Sequence, residues 1–183
     1  NVGADTTIEL RNSLFFGNSS DEDHAAFSIM ADDASTAFRV RVLNNTVVGN
    51  FCTCAAASTA RTAQVGGSAR ALIGNNVFAL NAEDDLALTD GGRAQLLHNN
   101  IPSPLLGLPL SESGTLTEHN PRFVDPFGQD FRLRWDSPLR DRGNNTLASV
   151  DDRDLRGRNR VIDSIADIGA YENDDRLFAD GYE

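Results

Sequence analysis

The chain has 183 residues, which is enough for one ordinary domain or for one domain with a small appendage. It contains 16 basic and 27 acidic residues, which gives a formal net charge of −11 at pH 7. A surface this acidic repels phosphate backbones and anionic lipids, so we expect neither a nucleic-acid partner nor insertion into a membrane. Every basic residue is arginine, which excludes a Schiff-base lysine, a P-loop lysine and a lysine general base.

Short strands are the first elements that the sequence predicts. In residues 38–42, Phe38, Val40 and Val42 alternate with Arg39 and Arg41. Alternation with a period of two predicts a strand with one buried face. Residues 6–10 repeat this pattern, residues 69–73 and 93–97 show weaker versions, and residues 26–30 predict a further strand. No segment has the 3.6-residue apolar period that is typical of a helix.

Asparagine recurs directly after these strands. Three segments that align without gaps, residues 12–18, 44–50 and 75–81, each begin and end with asparagine. The first asparagine recurs after 32, 31 and 24 residues when a partial fourth copy at residues 98–101 is included, and such spacings are typical of solenoids. Asparagine tolerates left-handed corners, and amides in register can hydrogen-bond along a stack. We therefore predict a structural asparagine ladder that consists of Asn12, Asn44, Asn75 and Asn99, together with Asn18, Asn50 and Asn81.

The repeated order of strand, asparagine corner, strand and loop predicts an all-β fold, a right-handed parallel β-helix. In this fold, coils stack at ~4.8 Å and bury an apolar face against their neighbours. The coils are predicted to occupy residues 1–115, with loops at residues 19–25 and 53–68. Because the chain opens inside a repeat, we expect the coils to be the C-terminal part of a longer solenoid.

Residues 116–172 are predicted to form an irregular C-terminal cap, because a solenoid needs a segment that covers its last apolar coil. Within this segment Phe131, Leu133 and Trp135 alternate with arginines and predict another strand with one buried face. Residues 173–183 are interpreted as a polar spacer and a terminal tail.

One helical turn and one close approach are predicted inside the cap. Ser137 suits the N-cap, Pro138 the first helical position, and Gly143 the left-handed position that ends a helix. Gly169 is expected where two backbones approach closely.

Five blocks of the closing segment resemble a known family. Residues 120–126, 129–133, 137–143, 154–157 and 167–172 match, in order, the pattern P-x-F-v-D-P, D-F-x-L, S-P-x-x-D-x-G, D-l-x-G and D-I-G-A-Y-E. The pattern resembles the end of bacterial parallel β-helix proteins with a choice-of-anchor Q domain. The resemblance implies a pectate-lyase-like fold, export to the cell surface or medium, and cap positions for Asp167 and Tyr171. Arg142 departs from the family's small residue, so we expect that turn to be exposed.

The two cysteines, Cys52 and Cys54, lie two residues apart. This spacing predicts a local disulfide or a pair of free thiols. A redox or metal role is the alternative, although two cysteines alone do not supply the four ligands of a structural zinc site.

Acidic clusters are the remaining candidates for chemistry. The pairs at residues 32–33 and 84–85 are interpreted as solvated loop acids, with calcium binding or paired-carboxylate glycoside hydrolysis as alternatives. Residues 151–154 place three carboxylates in four residues and are interpreted as partners of nearby arginines, with calcium again as the alternative. His98 is expected at a corner beside the ladder. No catalytic residue, metal ligand or cofactor is assigned.

These observations favour a secreted or surface-displayed bacterial protein with a structural or adhesive role that contacts a polysaccharide or cell-surface glycan. The assignment as an enzyme stays open, and the sequence leans against it. The alternative is a polysaccharide lyase or glycoside hydrolase whose site lies on coils further upstream. A cap that serves only solubility and export is a third interpretation. The oligomeric state is not predicted.

Overall fold

The protein is built from strands in the computed structural model, which describes residues 7–21, 24–30, 38–53, 60–68, 70–148 and 151–173. These residues contain 15 strands and no α-helix. Their one helical element is a 3-10 turn at Asn145–Leu147. The all-β fold class predicted from the alternating patterns is confirmed.

Three sheets of three or more strands are purely parallel, and neighbouring strands within each come from successive repeats. Sheet 1 contains, in order, β1 (Ile8–Arg11), β5 (Phe38–Leu43), β9 (Arg70–Gly74), β12 (Arg93–Leu97) and β13 (Ser111–Ser113). Sheet 2 contains β2 (Leu14–Phe16), β6 (Thr46–Val48) and β10 (Val77–Ala79). Sheet 3 contains β4 (His24–Met30), β8 (Arg61–Gly66) and β11 (Asp84–Thr89). Two small pairs complete the strands: the parallel β3 (Ser19–Ser20) and β7 (Phe51–Cys52), and the antiparallel β14 (Phe123–Asp125) and β15 (Asp130–Leu133).

One inner core joins the three parallel sheets. Sheet 1 contributes Val40 and Val42, sheet 2 contributes Val47 and Phe78, and sheet 3 contributes Val65, all of them buried. On β5 the apolar residues of the alternating pattern point inward, except that Phe38 at the strand's start is exposed. Burying a valine or phenylalanine side chain contributes about 1.5–3 kcal/mol, so the alternation itself explains why these segments stack.

Residues 53–68, predicted to be a loop, contain strand β8. Its inward residues Ala63 and Val65 are buried between β4 and β11. The small residues of this segment suggested a loop, whereas their size allows close packing in the inner core.

Sheet 2 is apolar on both faces because a second layer covers its outer side. Val48, Val77 and Ala79 are buried on this outer face. They pack against a group of apolar residues from the closing segment, namely Phe123, Phe131, Leu133, Leu139 and Ile168. We call residues 120–173 the side layer.

The side layer lies beside the stack, and this differs from the predicted cap over the last coil. Arg11 of the first repeat pairs with Asp152 at 2.9 Å. Thr46 of the second repeat accepts a hydrogen bond from the N–H of Ala170 at 3.0 Å. Asn75 of the third repeat accepts one from the N–H of Gly169 at 2.8 Å. The segment therefore crosses three repeats, because the apolar outer face of sheet 2 needs cover along its whole width.

The predicted buried position of Trp135 is wrong. Strand β15 ends at Leu133, and Trp135 follows in a turn with 70% of its surface exposed. The turn is closed by a hydrogen bond from the N–H of Ser137 to the carbonyl of Arg134 at 3.0 Å. The alternation therefore stops where the chain leaves the strand.

Residues 138–141 form a turn in place of the predicted helical turn. The hydroxyl of Ser137 accepts the N–H of Leu139 at 3.2 Å and donates to the carbonyl of Pro121 at 2.6 Å. Pro138 opens this turn. Left-handed backbone occurs at Asp141, with φ 52°, and Gly143 instead lies where a Cβ atom would come within 2.7 Å of the carbonyl of Ala166.

Candidate functional site

The corners between sheets 1 and 2 carry asparagines in the left-handed conformation. Asn12, Asn44 and Asn75 have φ between 49° and 55°, and His98, with φ 53°, takes the same position in the fourth repeat. The amide of Asn75 donates to Oδ1 of Asn44 at 3.0 Å. The ring of His98 donates from Nδ1 to the carbonyl of Arg142 in the side layer at 2.7 Å.

The first amide ladder is built from the residues that follow these corners. The amide of Asn45 donates to Oδ1 of Asn76 at 2.9 Å, and the amide of Asn76 donates to Oδ1 of Asn99 at 2.9 Å. Asn99 therefore aligns with Asn76 and not with Asn75, which corrects the predicted register by one residue. The physical reason is that the left-handed residue turns the chain, and its neighbour then faces along the stack.

The second ladder consists of Asn18, Asn50 and Asn81, which the sequence grouped together. The amide of Asn18 donates to Oδ1 of Asn50 at 2.8 Å, and the amide of Asn50 donates to Oδ1 of Asn81 at 3.2 Å. The amide of Asn81 in turn donates to Oδ1 of Asp85 at 2.9 Å. This ladder therefore ends on a carboxylate.

Asp85 is almost fully buried at the start of β11, with 3% of its surface exposed. Its Oδ2 accepts both the N–H of Ser103 at 3.0 Å and the hydroxyl of Ser103 at 2.8 Å. Its interpretation as a solvated loop acid is therefore wrong. Asp84 beside it lies 3.8 Å from Arg61, while residues 32–33 lie outside the described residues.

A groove opens at this corner between sheet 2 and sheet 3. It consists of two adjoining cavities of about 260 Å³ and 480 Å³. Both cavities are lined by Asn81, Glu83 and Ser103, the smaller one also by His119, and the larger one also by Arg61. We call this feature the corner groove.

Glu83, which lines the groove, has one carboxylate oxygen without a partner in the described part of the chain. Its Oε1 accepts the backbone N–H of Cys52 at 2.8 Å, which fixes the carboxylate. Its Oε2 is buried and has no hydrogen-bond partner among the described residues. An unpartnered buried polar atom is costly unless it is satisfied, so a ligand hydroxyl that displaced the atoms covering this oxygen would satisfy it.

The groove also contains backbone strain. Leu80, which lines the smaller cavity, has φ 55° and is largely exposed. The matching positions of the first two repeats are Gly17 and Gly49, each with φ +64°. A non-glycine residue in this conformation costs about 1–3 kcal/mol, and such strain is concentrated at functional sites.

The groove's chemistry suits hydrogen bonding more than catalysis. Asp85 is held by Asn81 and Ser103, and one oxygen of Glu83 is held by Cys52. Glycoside hydrolysis needs two carboxyl groups that are both available to the substrate. Within the described part of the chain, no group of three or more His, Cys, Asp or Glu side chains is placed to hold a metal ion.

A buried charge cluster fastens the side layer. The guanidinium of Arg160 pairs with Glu172 at 3.0 Å, and their side chains are 0% and 1% exposed. The same guanidinium donates to the carbonyl of Gly169 at 2.8 Å. Burial raises the pKa of Glu172, an effect that the charge of Arg160 opposes, and raises the pKa of Asp167 to about 6.

The predicted cap residues Asp167 and Tyr171, and the acidic residue Asp154, also make contacts that stabilise the side layer. Asp167 accepts the N–H groups of Asp141 at 2.8 Å and Asn173 at 2.7 Å. Tyr171 is half-buried against the apolar residues between sheet 2 and the side layer, and burial raises the pKa of its hydroxyl. Asp154 accepts three backbone N–H groups, from Arg156, Arg158 and Glu172. The acidic run at residues 151–154 is thus paired within the protein through backbone donors and Arg11, and the charges of Asp152 and Asp154 also act on the neighbouring Arg160.

Cys52 is disulfide-bonded, which agrees with the disulfide alternative and not with free thiols. Cys54 lies outside the described residues. Across the parts of the chain that the structure describes, no helix has the length and apolarity to cross a membrane.

Comparison of the chain with known proteins found no matching family model, no matching curated protein and no matching solved structure.

Sequence reasoning missed three residues of the groove: Leu80, Glu83 and Ser103. A signal existed for Leu80, because it replaces the glycine of the two earlier repeats. Ser103 gave no signal, since its contact with Asp85 depends on how the last repeat folds back.

Proposed function

We propose that this is a secreted or surface-displayed bacterial protein of the right-handed parallel β-helix type, with a choice-of-anchor Q closing segment. The parallel sheets formed by successive repeats support this proposal, as do the two amide ladders. The five sequence blocks that carry the family resemblance all fall in the side layer, and four of them supply its apolar contacts with sheet 2.

The proposed role is structural and adhesive, with glycan contact in the corner groove. The observation that carries it is the buried and unpartnered Oε2 of Glu83 in a groove that also offers Ser103 and His119. Sugar hydroxyls are donors that match such an acceptor. The strained backbone of Leu80 beside it also supports a functional role for the groove, because such strain is concentrated at functional sites.

The groove's charge narrows the ligand class. Glu83, Asp84 and Asp85 are close together in the sequence around the cavities, and Arg61 is the basic residue among the groove's lining residues. Uronate polymers would bring further negative charge to this acidic corner. Neutral or amino-bearing oligosaccharides are therefore the proposed ligands of the groove.

Titration calorimetry of the full chain against a panel of neutral, amino and acidic oligosaccharides tests the proposal. We expect binding of a neutral or amino sugar without release of new reducing or unsaturated ends. Glu83→Gln keeps Oε1 as an acceptor for Cys52 but replaces Oε2 with a donor. Since a hydrogen bond to a charged group contributes about 1.5–3 kcal/mol, affinity should fall about tenfold or more.

Glu112→Gln on the exposed strand β13 is the matched control, because it removes the same charge away from the groove. Its affinity should stay within about twofold of the original. If Glu83→Gln bound the sugar as tightly as the original chain, the corner groove would not be the glycan site. Release of sugar products would instead favour the alternative, a polysaccharide lyase or glycoside hydrolase.

A further inference from the structure

The outer face of sheet 1 is rich in arginine, although the chain as a whole is strongly acidic. Four arginines occupy three neighbouring strands: Arg39 and Arg41 on β5, Arg70 on β9, and Arg93 on β12. Their strand neighbours Val40, Ala71 and Ala94 are buried in the inner core. Alternation along a strand therefore places the arginines on the opposite, outward face. We call this set the arginine face.

Three of these arginines have no partner within the described residues. No hydrogen bond or ion pair joins Arg41, Arg70 or Arg93 to any described group, and the buried Nε of Arg41 is unpaired. Arg39 does have a partner. The acid nearest in register is Glu9, opposite Arg41, and its carboxylate is already paired with Arg11 at 3.4 Å.

The strand register places like charges side by side. Arg70 and Arg93 are directly opposite each other on adjacent parallel strands, which lie about 4.8 Å apart. Like charges in such positions destabilise a sheet. Most other arginines of the described chain are paired, for example Arg11, Arg132 and Arg160. The fold therefore tolerates an arrangement that an anionic ligand would stabilise.

The described residues of the side layer leave the arginine face uncovered. They contact sheet 1 at its corner with sheet 2, where Leu147 lies against Gly74 and Arg11 donates to the carbonyl of Leu147 at 3.2 Å. Arg70 and Arg93 are the first residues of their strands, and Arg41 lies in the second half of β5. Arg93 is exposed, and Arg41 and Arg70 are half-buried.

We propose that the arginine face binds an acidic polysaccharide, a linear glycan with an acidic group on successive sugars, laid across the strands of sheet 1. Guanidinium groups bind carboxylate, sulfate and phosphate oxygens through paired N–H donors. Arg70 and Arg93 lie opposite each other on strands about 4.8 Å apart, a charge spacing close to the length of one sugar unit. Duplex DNA carries one charge per ~1.7 Å, a density that the arginine face does not match and that the chain's net charge opposes. This surface is separate from the corner groove, and its ligand is anionic.

Binding to three anionic probes tests the proposal at low and moderate salt. The probes are a uronate oligosaccharide, a sulfated oligosaccharide of similar length, and a single-stranded oligonucleotide of similar charge. We expect at least one of the two acidic glycans to bind, with affinity that falls as salt rises, because screening weakens exposed charge pairs. The uronate and sulfate probes distinguish which acidic group is recognised.

The variant Arg41→Gln/Arg70→Gln/Arg93→Gln should lose at least tenfold in affinity for the acidic glycan. Its thermal midpoint should not fall, since the change removes the like-charge contact between Arg70 and Arg93. The matched control is Arg134→Gln/Arg153→Gln/Arg156→Gln, which removes three exposed arginines of the side layer and changes the net charge equally. The control should bind within about twofold of the original.

Three results would overturn the inference: neither glycan binds, both triple variants lose affinity equally, or the oligonucleotide binds more tightly than the glycans. Glu83→Gln should leave acidic-glycan binding unchanged. The experiments therefore test the ligand site in the corner groove and the ligand site on the arginine face independently.

Discussion

The side-chain amide of Asn81 donates to Oδ1 of Asp85 at 2.9 Å, so the second asparagine ladder ends on a carboxylate of the corner groove. Asn81 itself accepts the N–H and the amide of Asn50 at 3.0 and 3.2 Å. The internal order of the stack and the shape of the groove thus depend on one chain of hydrogen bonds. Hydrogen bonds connected in this way reinforce one another.

Removal of a central ladder amide should be strongly destabilising. Asn76→Ala takes the acceptor from the N–H and amide of Asn45 and the donor from Val42 and Asn99, all of them in the interior. Each buried group left unsatisfied costs about 1–3 kcal/mol, so we expect a loss of about 3–5 kcal/mol in the free energy of unfolding, measured in urea. Asn18→Ala at the exposed end of the second ladder should cost less than about 1 kcal/mol. Equal losses would contradict the ladder's role.

Relief of the strain at Leu80 should stabilise the protein. Leu80→Gly matches Gly17 and Gly49 of the earlier repeats and removes a side chain from a left-handed position. We expect a gain of about 1 kcal/mol in the free energy of unfolding, together with weaker glycan binding in the groove. The reciprocal Gly49→Leu, with φ +64°, should lose a similar amount. A Leu80→Gly variant with lower stability would show that its side chain contributes more than the backbone strain costs.

Gly169 should be intolerant of any side chain. A Cβ atom there would lie 2.9 Å from Cγ2 of Val77 and 3.0 Å from Oγ1 of Thr46, at φ +116°. Gly169→Ala should therefore cost about 2–4 kcal/mol through overpacking and backbone strain. Gly157→Ala, with φ +81° and open space around it, should show the strain alone, at about 1 kcal/mol. Chemical unfolding that gave the same cost at both positions would refute the close approach.

The stability of the side layer should fall as pH rises through the acidic range. Burial raises the pKa of Asp167 from 3.8 to about 6, so between these values the folded protein holds a proton that the unfolded chain has released. By linkage, this stabilisation is complete below pH of about 4 and is lost as pH rises toward 6. Asp167→Asn does not titrate, so its stability deficit relative to the original should shrink between pH 4 and pH 7.

Urea unfolding at four pH values across this range measures that deficit. Asp90→Asn, an exposed position, controls for the loss of one negative charge. A deficit for Asp167→Asn that stays constant or grows with pH would contradict the raised pKa.

Much of the stack could be predicted from local patterns. Phe38 to Val42 alternate because one face of β5 meets the core, and Asn12, Asn44 and Asn75 recur because a corner needs left-handed backbone. The ladder register was missed by one residue, since Asn44 and Asn45 are adjacent and identical and the pattern alone does not say which one turns the chain. The exposed Trp135 was missed because a period of two does not show where a strand ends.

The sequence by itself determined the all-β class, the repeat and the corners, because these depend on residues that are close in the chain and on the period of apolar side chains. Only the tertiary structure decided that the closing segment lies along sheet 2, that Asp85 is buried against Ser103, and that Arg70 stands opposite Arg93. Those relationships join residues of different repeats. They depend on register and on the direction in which the chain folds back, and neither is encoded in any single stretch of the sequence.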